Sequence, residues 1–310
     1  MSQSPSPVDP QTPDHDGPQN PGASTPPALP DTTSRKGPRP AAVRLVLMLV
    51  VFAGVNAAAA GLTGAAGNSF WTLPLGVVIA VLALWAYTRA VRFTERRSAD
   101  ELRAADARAG LVRGAGGGVL LFTVTIGVIA LFGGYRTTGW GSFVGFLAVL
   151  GLMCAVAVTE ELLFRGVLFR IVEELAGTWG ALAVSAGLFG LLHLINPNAT
   201  FWGGLAIAVE AGLMFGAAYA ATRSLWVPIG LHLGWNTAEL GIFGTTVSGN
   251  DDTLVGLVHS TMSGPSALTG GAFGPEASIV AVLVCAVPTV LFLRAARRDG
   301  RILPRAAKRA

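Results

Sequence analysis

The chain has 310 residues and a formal net charge of +4; 52% of the residues are hydrophobic and only 13% are charged. Soluble globular domains carry about 25% charged residues. This composition, with a mean hydropathy of +0.56, therefore excludes an ordinary soluble protein and indicates a membrane protein. The two cysteines, Cys154 and Cys285, lie inside apolar runs and belong to no Cys-x-x-Cys or Cys/His cluster, which argues against a disulfide framework and a cysteine metal site.

Residues 1–40 hold 11 of the 18 prolines, with Ser, Thr, Asp and Gln between them and almost no large apolar side chains. Such a segment cannot bury enough apolar surface to offset the entropy that is lost on ordering. We therefore predict a disordered, proline-rich cytoplasmic tail over residues 1–40.

From there the chain alternates between apolar runs and short polar connections. A helix that spans a bilayer needs about 20 mostly apolar residues, and eight runs approach that length. The sequence thus predicts an all-α fold, a polytopic integral membrane helical bundle with about eight transmembrane helices over residues 41–296, followed by a basic cytoplasmic tail over residues 297–310. The runs are 45–66, 70–88, 114–132, 141–159, 179–195, 201–221, 225–243 and 278–293.

Lysine and arginine residues set the predicted orientation, because basic residues near the ends of spans stay in the cytoplasm. With both termini in the cytoplasm, 21 of the 22 Lys and Arg residues fall on the cytoplasmic side, and only Arg136 falls on the other. The positive charge is therefore interpreted as a topology signal, and no nucleic acid partner is expected.

Ionisable side chains inside the spans are few, and each is a functional candidate because a charge at the centre of a span costs roughly 2.5–3.5 kcal/mol. Helical geometry places Glu161 and Arg165 on one face, where they can pair, while Glu160 points about 100° away. Glu160 is then free for chemistry, unless both carboxylates only mark the hydrated end of the helix. The candidates are Glu160, Glu161, Arg165, His193, Glu210, His232 and Glu239, with Asn236 as a polar companion.

Depth in the membrane relates the separate motifs to one another. If the fourth and fifth runs form a hairpin that turns near Gly177, Glu160 lies 17 residues before the turn and His193 lies 16 after it. At about 1.5 Å per residue the two are level and can meet. His232 and Asn236 share one face of the seventh run, beginning roughly 14 Å from the cytoplasmic side. We expect these four polar groups to converge, although a membrane histidine on its own more often only bonds to another helix.

Three motifs occur in order on successive spans: Glu160-Glu161-x-x-x-Arg165, Phe189-x-x-x-His193 and His232-x-x-x-Asn236. Together they resemble the CAAX protease and bacteriocin-processing family of intramembrane proteases, which includes the Ras-converting CAAX prenyl endopeptidase. The resemblance covers about residues 110–245.

The resemblance implies an intramembrane endopeptidase. In such an enzyme Glu160 and His193 would hold and deprotonate the attacking water, with the glutamate as general base. His232 and Asn236 would donate hydrogen bonds to the tetrahedral oxyanion. The expected supporting residues are Glu161, Arg165 and Phe189.

No cofactor is firmly implied. Members of the family are often called metalloproteases, and Glu160, His193 and His232 are a set that could hold zinc with one position open. The sequence contains no His-Glu-x-x-His motif. We favour a metal-free, glutamate-dependent mechanism and keep zinc as an alternative.

The expected partners are membrane lipids and a peptide or membrane-protein substrate that enters from the cytoplasmic side. Only two lysines among many Ala, Gly and Arg residues suggest a GC-rich bacterial genome, so the predicted location is the bacterial plasma membrane, crossed several times. A proton-coupled transporter and a non-catalytic scaffold that retains the protease fold are the alternative functions. Glu210, Glu239 and the loop 244–276 receive no role.

Overall fold

The computed structural model of the protein describes residues 1, 39–251 and 254–305. Apart from its two ends, the predicted tail over residues 1–40 lies outside the described residues, and so do residues 306–310 of the predicted basic tail. Every element below belongs to one compact unit, Gly37–Ala310.

Helices make up most of the described structure, because a helix satisfies its own peptide groups and is therefore one of the few structures that lipid tolerates. Three of them continue through π-helical turns: Leu162–Phe169 follows the helix Phe143–Glu161, Ala208–Leu213 joins the helices Phe201–Ile207 and Met214–Thr222, and Thr237–Ile242 follows the helix Trp226–Asn236. Two strands, β1 (Tyr135–Trp140) and β2 (Val258–Met262), pair antiparallel. The helices are α1 (Ala41–Ala66), α2 (Thr72–Glu95), α3 (Ala104–Leu131), α4 (Phe143–Glu161), α5 (Arg170–Leu192), α6 (Phe201–Ile207), α7 (Met214–Thr222), α8 (Trp226–Asn236), α9 (Ser266–Thr269) and α10 (Ile279–Arg298).

Six helical stretches among the described residues are long and apolar enough to cross a membrane. The longest, Phe143–Ile195, contains the predicted fourth and fifth runs, and its backbone leaves helical geometry at Gly177. The predicted seventh run forms α8, with 11 residues, and a π-helical continuation of 6. The polytopic all-α class is confirmed, while the count of eight spans and the cytoplasmic termini stay predictions.

The ends of the helices define two faces of this unit. We call one the arginine face; it carries the ion pairs Arg44–Glu174, Arg170–Glu95 and Arg223–Glu173. We call the opposite one the loop face; it carries the β1–β2 sheet, the turn 196–200 and the loop 244–251. The turn and the loop are joined there by a hydrogen bond of 2.7 Å from Nδ2 of Asn196 to the carbonyl oxygen of Ser248.

Glycines bring α3 and α8 into close contact. A Cβ atom at Gly118 would lie 2.2 Å from the carbonyl oxygen of Leu231, and one at Gly234 would lie 2.1 Å from that of Ala115. Small residues allow such an approach of two backbones in a membrane, where packing rather than the hydrophobic effect holds helices together. The contact fixes α8, the helix that carries the third motif.

The predicted hairpin turn near Gly177 is confirmed. The residue has φ 73°, which favours glycine, and a Cβ atom there would lie 2.8 Å from the backbone of Leu303 and Arg305. Thr178 donates through its amide to the carbonyl oxygen of Leu303 at 3.0 Å and accepts from the Leu303 amide at 2.8 Å. The segment that follows α10 therefore packs against the turn.

Candidate active site

The predicted Glu161–Arg165 ion pair is confirmed at the end of α4. Nη1 of Arg165 lies 2.8 Å from Oε1 of Glu161, and both side chains are completely buried. The guanidinium also donates to the carbonyl oxygen of Gly212 at 3.0 Å and lies 4.9 Å and 5.2 Å from the ring centroids of Phe189 and Phe215. These contacts compensate a charge that would otherwise be costly to bury.

His232 lies between the two adjacent glutamates. Its Nδ1 is 3.1 Å from Oε1 of Glu161, and its Nε2 is 4.0 Å from Oε2 of Glu160. An ionised carboxylate only accepts hydrogen bonds, so Nδ1 carries a proton in this contact. The ring of Phe215 stacks on the imidazole at a centroid distance of 5.0 Å. Glu161 and Phe215 together fix the orientation of His232.

Glu160 and Glu161 have different surroundings although they are adjacent. The side chain of Glu160 is 21% exposed, whereas that of Glu161 is fully buried. Glu160 also lines a cavity that Glu161 does not reach. The prediction that the two carboxylates point to different faces is confirmed.

His193 ends α5 and begins a short 3₁₀ turn, His193–Ile195. Its Nδ1 lies 2.7 Å from the carbonyl oxygen of Phe189. Because a carbonyl oxygen only accepts, Nδ1 carries a proton in this contact, and the tautomer that this selects has its lone pair on Nε2. The ring of Phe189 lies 4.6 Å from that of His193 and 6.3 Å from that of His232. Phe189 thus supports both histidines by packing.

One cavity brings the three motifs together. It has a volume of about 510 Å³, and Glu160, His193, His232 and Asn236 all line it. The predicted convergence of these four residues is confirmed, and their catalytic roles stay predictions. Much of the remaining wall is apolar, as is usual for a ligand site with a few oriented polar groups.

Asn56 on α1 also lines this cavity, and sequence reasoning missed it. Its Oδ1 accepts a hydrogen bond of 3.3 Å from the hydroxyl of Thr159, and its buried Nδ2 has no hydrogen-bond partner among the described residues. A signal was present, because Asn56 is the single side-chain amide in the first apolar run. An asparagine carries no charge, so the cost of burying a charge in a membrane does not single it out.

Glu276, in a short 3₁₀ turn before α10, is a second cavity residue that the sequence did not single out. It is 2% exposed. Its carboxylate accepts from Nε1 of Trp235 at 3.1 Å, and from the amide and the hydroxyl of Ser248 at 2.7 and 2.6 Å. Glu276 thereby ties the loop 244–251 to α8, next to Asn236. No local pattern indicates this, because a glutamate beside a loop rich in Gly, Ser and Thr suggests a solvated residue.

Glu210 and Glu239 lie apart from this group. Both are fully buried on π-helical turns, and the described lining of the cavity includes neither. Glu210 lies against the thiol of Cys285. The hydroxyl of Thr245 donates to the backbone carbonyl of Glu239 at 3.0 Å. Neither residue is therefore brought to the predicted catalytic group.

The zinc alternative requires Glu160, His193 and His232 to surround one ion. Over residues 39–251 and 254–305, no group of three or more His, Cys, Asp or Glu side chains is placed to hold a metal ion. The zinc alternative stays a prediction, and no reaction step below passes through a metal.

Comparison with known proteins gives two matches. Residues 140–238 match a family described as type II CAAX prenyl endopeptidase Rce1-like. A Bacillus subtilis (strain 168) protein named "Putative membrane peptidase YdiL" is 31% identical over 80 residues, which are 26% of this chain and 30% of that protein. Both matches agree with the resemblance that the three motifs carry, over part of the chain. The chain thus spans about a third of the length of this curated relative, and no solved structure matches.

The part of the chain that matches the CAAX prenyl endopeptidase family contains all three motifs but not the whole cavity. Asn56 and Glu276 lie outside residues 140–238, on either side of them. The family match therefore covers the predicted catalytic residues, while α1 and the loop face supply additional walls.

Proposed function

We propose that the protein is an intramembrane endopeptidase that hydrolyses a peptide bond in a membrane-associated peptide or protein, with the bacterial plasma membrane as its location. The observation that carries this proposal is the contrast at the site: Glu160 lies open to the cavity beside His232, while the neighbouring Glu161 is sealed against Arg165. The family match and the membrane peptidase relative support a protease in a membrane protein.

In the proposed reaction, ionised Glu160 takes a proton from a water molecule whose other hydrogen is directed to Nε2 of His193. The water oxygen attacks the carbonyl carbon of the scissile bond, and the electron pair of the C=O π bond moves onto its oxygen to form a tetrahedral oxyanion. Glu160 then returns the proton to the leaving nitrogen as the C–N bond breaks and the C=O bond re-forms. The products are a carboxyl group and an amine. Such a general base contributes about 10²–10⁴-fold to the rate.

His232 and Asn236 are proposed to stabilise the oxyanion. Both line the cavity, and they lie one helical turn apart on the same face of α8. The Nδ1 proton of His232 is committed to Glu161, so only an imidazolium can donate to the oxyanion, through Nε2. Loss of one such donor costs about 2.7–4 kcal/mol of transition-state stabilisation in a comparable hydrolase.

Asn56 is proposed to position the peptide. Its Nδ2 lies buried without a protein partner among the described residues, on the cavity wall that α1 provides. A backbone carbonyl oxygen of a bound peptide would accept from this amide and remove the cost of leaving it unsatisfied.

The direct test uses the full chain reconstituted in liposomes with fluorogenic lipidated and unlipidated peptides. We expect wild type to cleave, Glu160→Gln and His193→Ala to lose cleavage, and a chelator to have no effect. Glu174→Gln, a partly exposed carboxylate on the arginine face, is the matched control.

Three outcomes would oppose this proposal. Cleavage that a chelator abolishes and zinc restores would establish a metal-dependent enzyme. Equal cleavage by wild type and both active-site variants would refute the site. If no cleavage is found and Glu160→Gln still complements a deletion strain, the protein acts as a scaffold.

A further inference from the structure

The cavity is displaced toward the loop face. On α1 its lining begins at Ala53 and ends at Gly64, which leaves out the half of the helix that begins at the arginine face. On α5 the lining is confined to the last turn, from Phe189 onward, and it continues into Asn196 on the loop-face turn. Three residues of the loop 244–251 and Glu276 also line it, and the rest of the lining comes from α4, α6, α7, α8 and the π-helical turns beside them.

Toward the arginine face, buried side chains close the cavity. Phe164, Arg165 and Phe215 are at most 4% exposed. Beyond them the hydroxyl oxygen of Tyr87 lies 2.9 Å from the carbonyl oxygen of Gly166, and Tyr87 itself is fully buried. A peptide that entered from this face would have to displace the Glu161–Arg165 pair, and separating a buried ion pair is strongly unfavourable.

The cavity is open between α1 and the end of α5. Ala57, Ala60 and Gly64 on α1 are exposed lining residues. Opposite them, Leu192 is 47% and Ile195 is 81% exposed. We call these five residues the mouth. They are small or apolar, so an apolar peptide segment can pass between the helices without leaving the lipid.

The charge distribution indicates which side of the membrane the mouth faces. Over residues 39–251 and 254–305, the loop face carries a single Lys or Arg residue, Arg136 on β1, whereas arginines surround the opposite ends of the helices. Basic residues at the ends of spans are retained in the cytoplasm. The arginine face is therefore assigned to the cytoplasm and the loop face to the other side.

We infer that the substrate enters from the loop face, on the extracytoplasmic side, through the mouth between α1 and α5. This inference rests on the proposed function and replaces the sequence-based expectation of entry from the cytoplasm. The substrate is then an apolar peptide segment embedded in the extracytoplasmic half of the bilayer, or a leader segment that remains in that half after the rest of its chain has been exported.

Cysteine accessibility tests the entry side without any requirement for activity. In a chain that carries Cys154→Ala and Cys285→Ala, we would place single cysteines at Ala57 and Asn250, and at Ala105 on the arginine face as the matched control. We expect a membrane-impermeant maleimide to label Ala57→Cys and Asn250→Cys in intact cells, and Ala105→Cys only after permeabilisation. Labelling of Ala57→Cys only after permeabilisation, or under neither condition, would overturn the inference.

Blocking the mouth gives a second readout in proteoliposomes. A bulky maleimide on Ile195→Cys should lower cleavage at least about tenfold, or about 1.4 kcal/mol. The same adduct on Leu283→Cys, an exposed position on α10 away from the cavity, should leave cleavage unchanged. Equal cleavage with both adducts would overturn entry through the mouth. Failure of the proposed function would give a different result. Either wild type would not cleave the peptides, or Glu160→Gln would cleave them as well as wild type does.

Discussion

The arginine face and the cavity hold their carboxylates in different ways. On the arginine face, Glu95 lies 2.8 Å from Nε of Arg97 and 2.7 Å from Nη1 of Arg170, and it is almost fully buried. In the cavity, Glu160 is partly exposed and lies 4.0 Å from His232. A carboxylate bonded to two guanidinium groups has its oxygens occupied by strong hydrogen bonds, whereas one that borders a cavity can still reach a bound water molecule. The same chemical group is therefore structural in one region and available for catalysis in the other.

Inside the membrane, Glu161 is held by an arginine, as Glu95 is on the arginine face. It is completely buried and bonded to Arg165, and it also orients His232. One turn of α4 thus presents a sealed carboxylate and an open one side by side. The comparison can be tested by disturbing each kind of carboxylate separately.

The largest expected effect is on the open carboxylate. Glu160→Gln keeps the shape and removes the base, so kcat should fall by about 10²–10⁴-fold while the melting temperature in detergent stays near that of wild type. Glu174→Gln should leave kcat unchanged. A large loss of thermal stability in Glu160→Gln would mean instead that Glu160, like Glu161, mainly stabilises the fold.

Breaking the sealed pair should act on stability. Arg165→Met leaves Glu161 buried without its guanidinium partner, and the free energy of unfolding should fall by about 3–5 kcal/mol, measured by denaturant titration in mild detergent. The double variant Glu161→Gln/Arg165→Met removes both charges and should recover much of this loss. Equal free energies of unfolding for the single and double variants would contradict the view that Arg165 compensates the buried charge of Glu161.

The close packing of α3 against α8 should be sensitive to the addition of one methyl group. Gly118→Ala places a Cβ atom against the carbonyl oxygen of Leu231, so we expect a loss of about 1–3 kcal/mol in stability and lower cleavage because His232 moves. Gly127→Ala on the same helix meets no atom within 4 Å and serves as the control. If both variants unfold alike, the α3–α8 contact does not position the site.

Removal of the Asn56 amide should weaken cleavage without unfolding the protein. Asn56→Ala loses one hydrogen bond to the peptide, so kcat/KM should fall about tenfold, in line with roughly 1–1.5 kcal/mol for one bond. Thr159→Val removes only the partner of Oδ1 and keeps the Nδ2 donor, so its effect should be smaller. The opposite order of effects would show that Asn56 acts through α4 and not on the peptide.

The smallest expected effect is the acid sensitivity of the arginine face. Burial raises the pKa of Glu101, but hydrogen bonds from Arg97 and Tyr87 outweigh burial, and the pKa of this carboxyl lies below its usual value of 4.5. A group with a lowered pKa in the folded state contributes stability that is present above its unfolded pKa and lost as the pH falls through the folded one. The free energy of unfolding, measured from about pH 7 to about pH 3, should decrease as the pH falls. In Glu101→Gln this decrease should be smaller. An unchanged pH profile would contradict the coupling.

Much of the site could be predicted from local spacing. The i,i+4 pairing of Glu161 with Arg165 and the turn at Gly177 depend on helical geometry and on one residue type, and both occur as predicted. The common depth of Glu160 and His193 follows from the same geometry. The contact between Glu161 and His232 joins residues 71 positions apart, so helix packing alone decides it, and the motifs only suggested that these spans meet.

The sequence by itself determined that this is an all-helical membrane protein with a strong charge asymmetry and three ordered polar motifs. Hydropathy, charge position and helical period are properties of neighbouring residues, so they are readable without a structure. The tertiary structure alone decided that Asn56 and Glu276 share the cavity with the motifs, and that residues of the turn 196–200 and the loop 244–251 line it. Those features arise from how α1 and a loop before α10 pack on the central helices, and no local pattern carries that information.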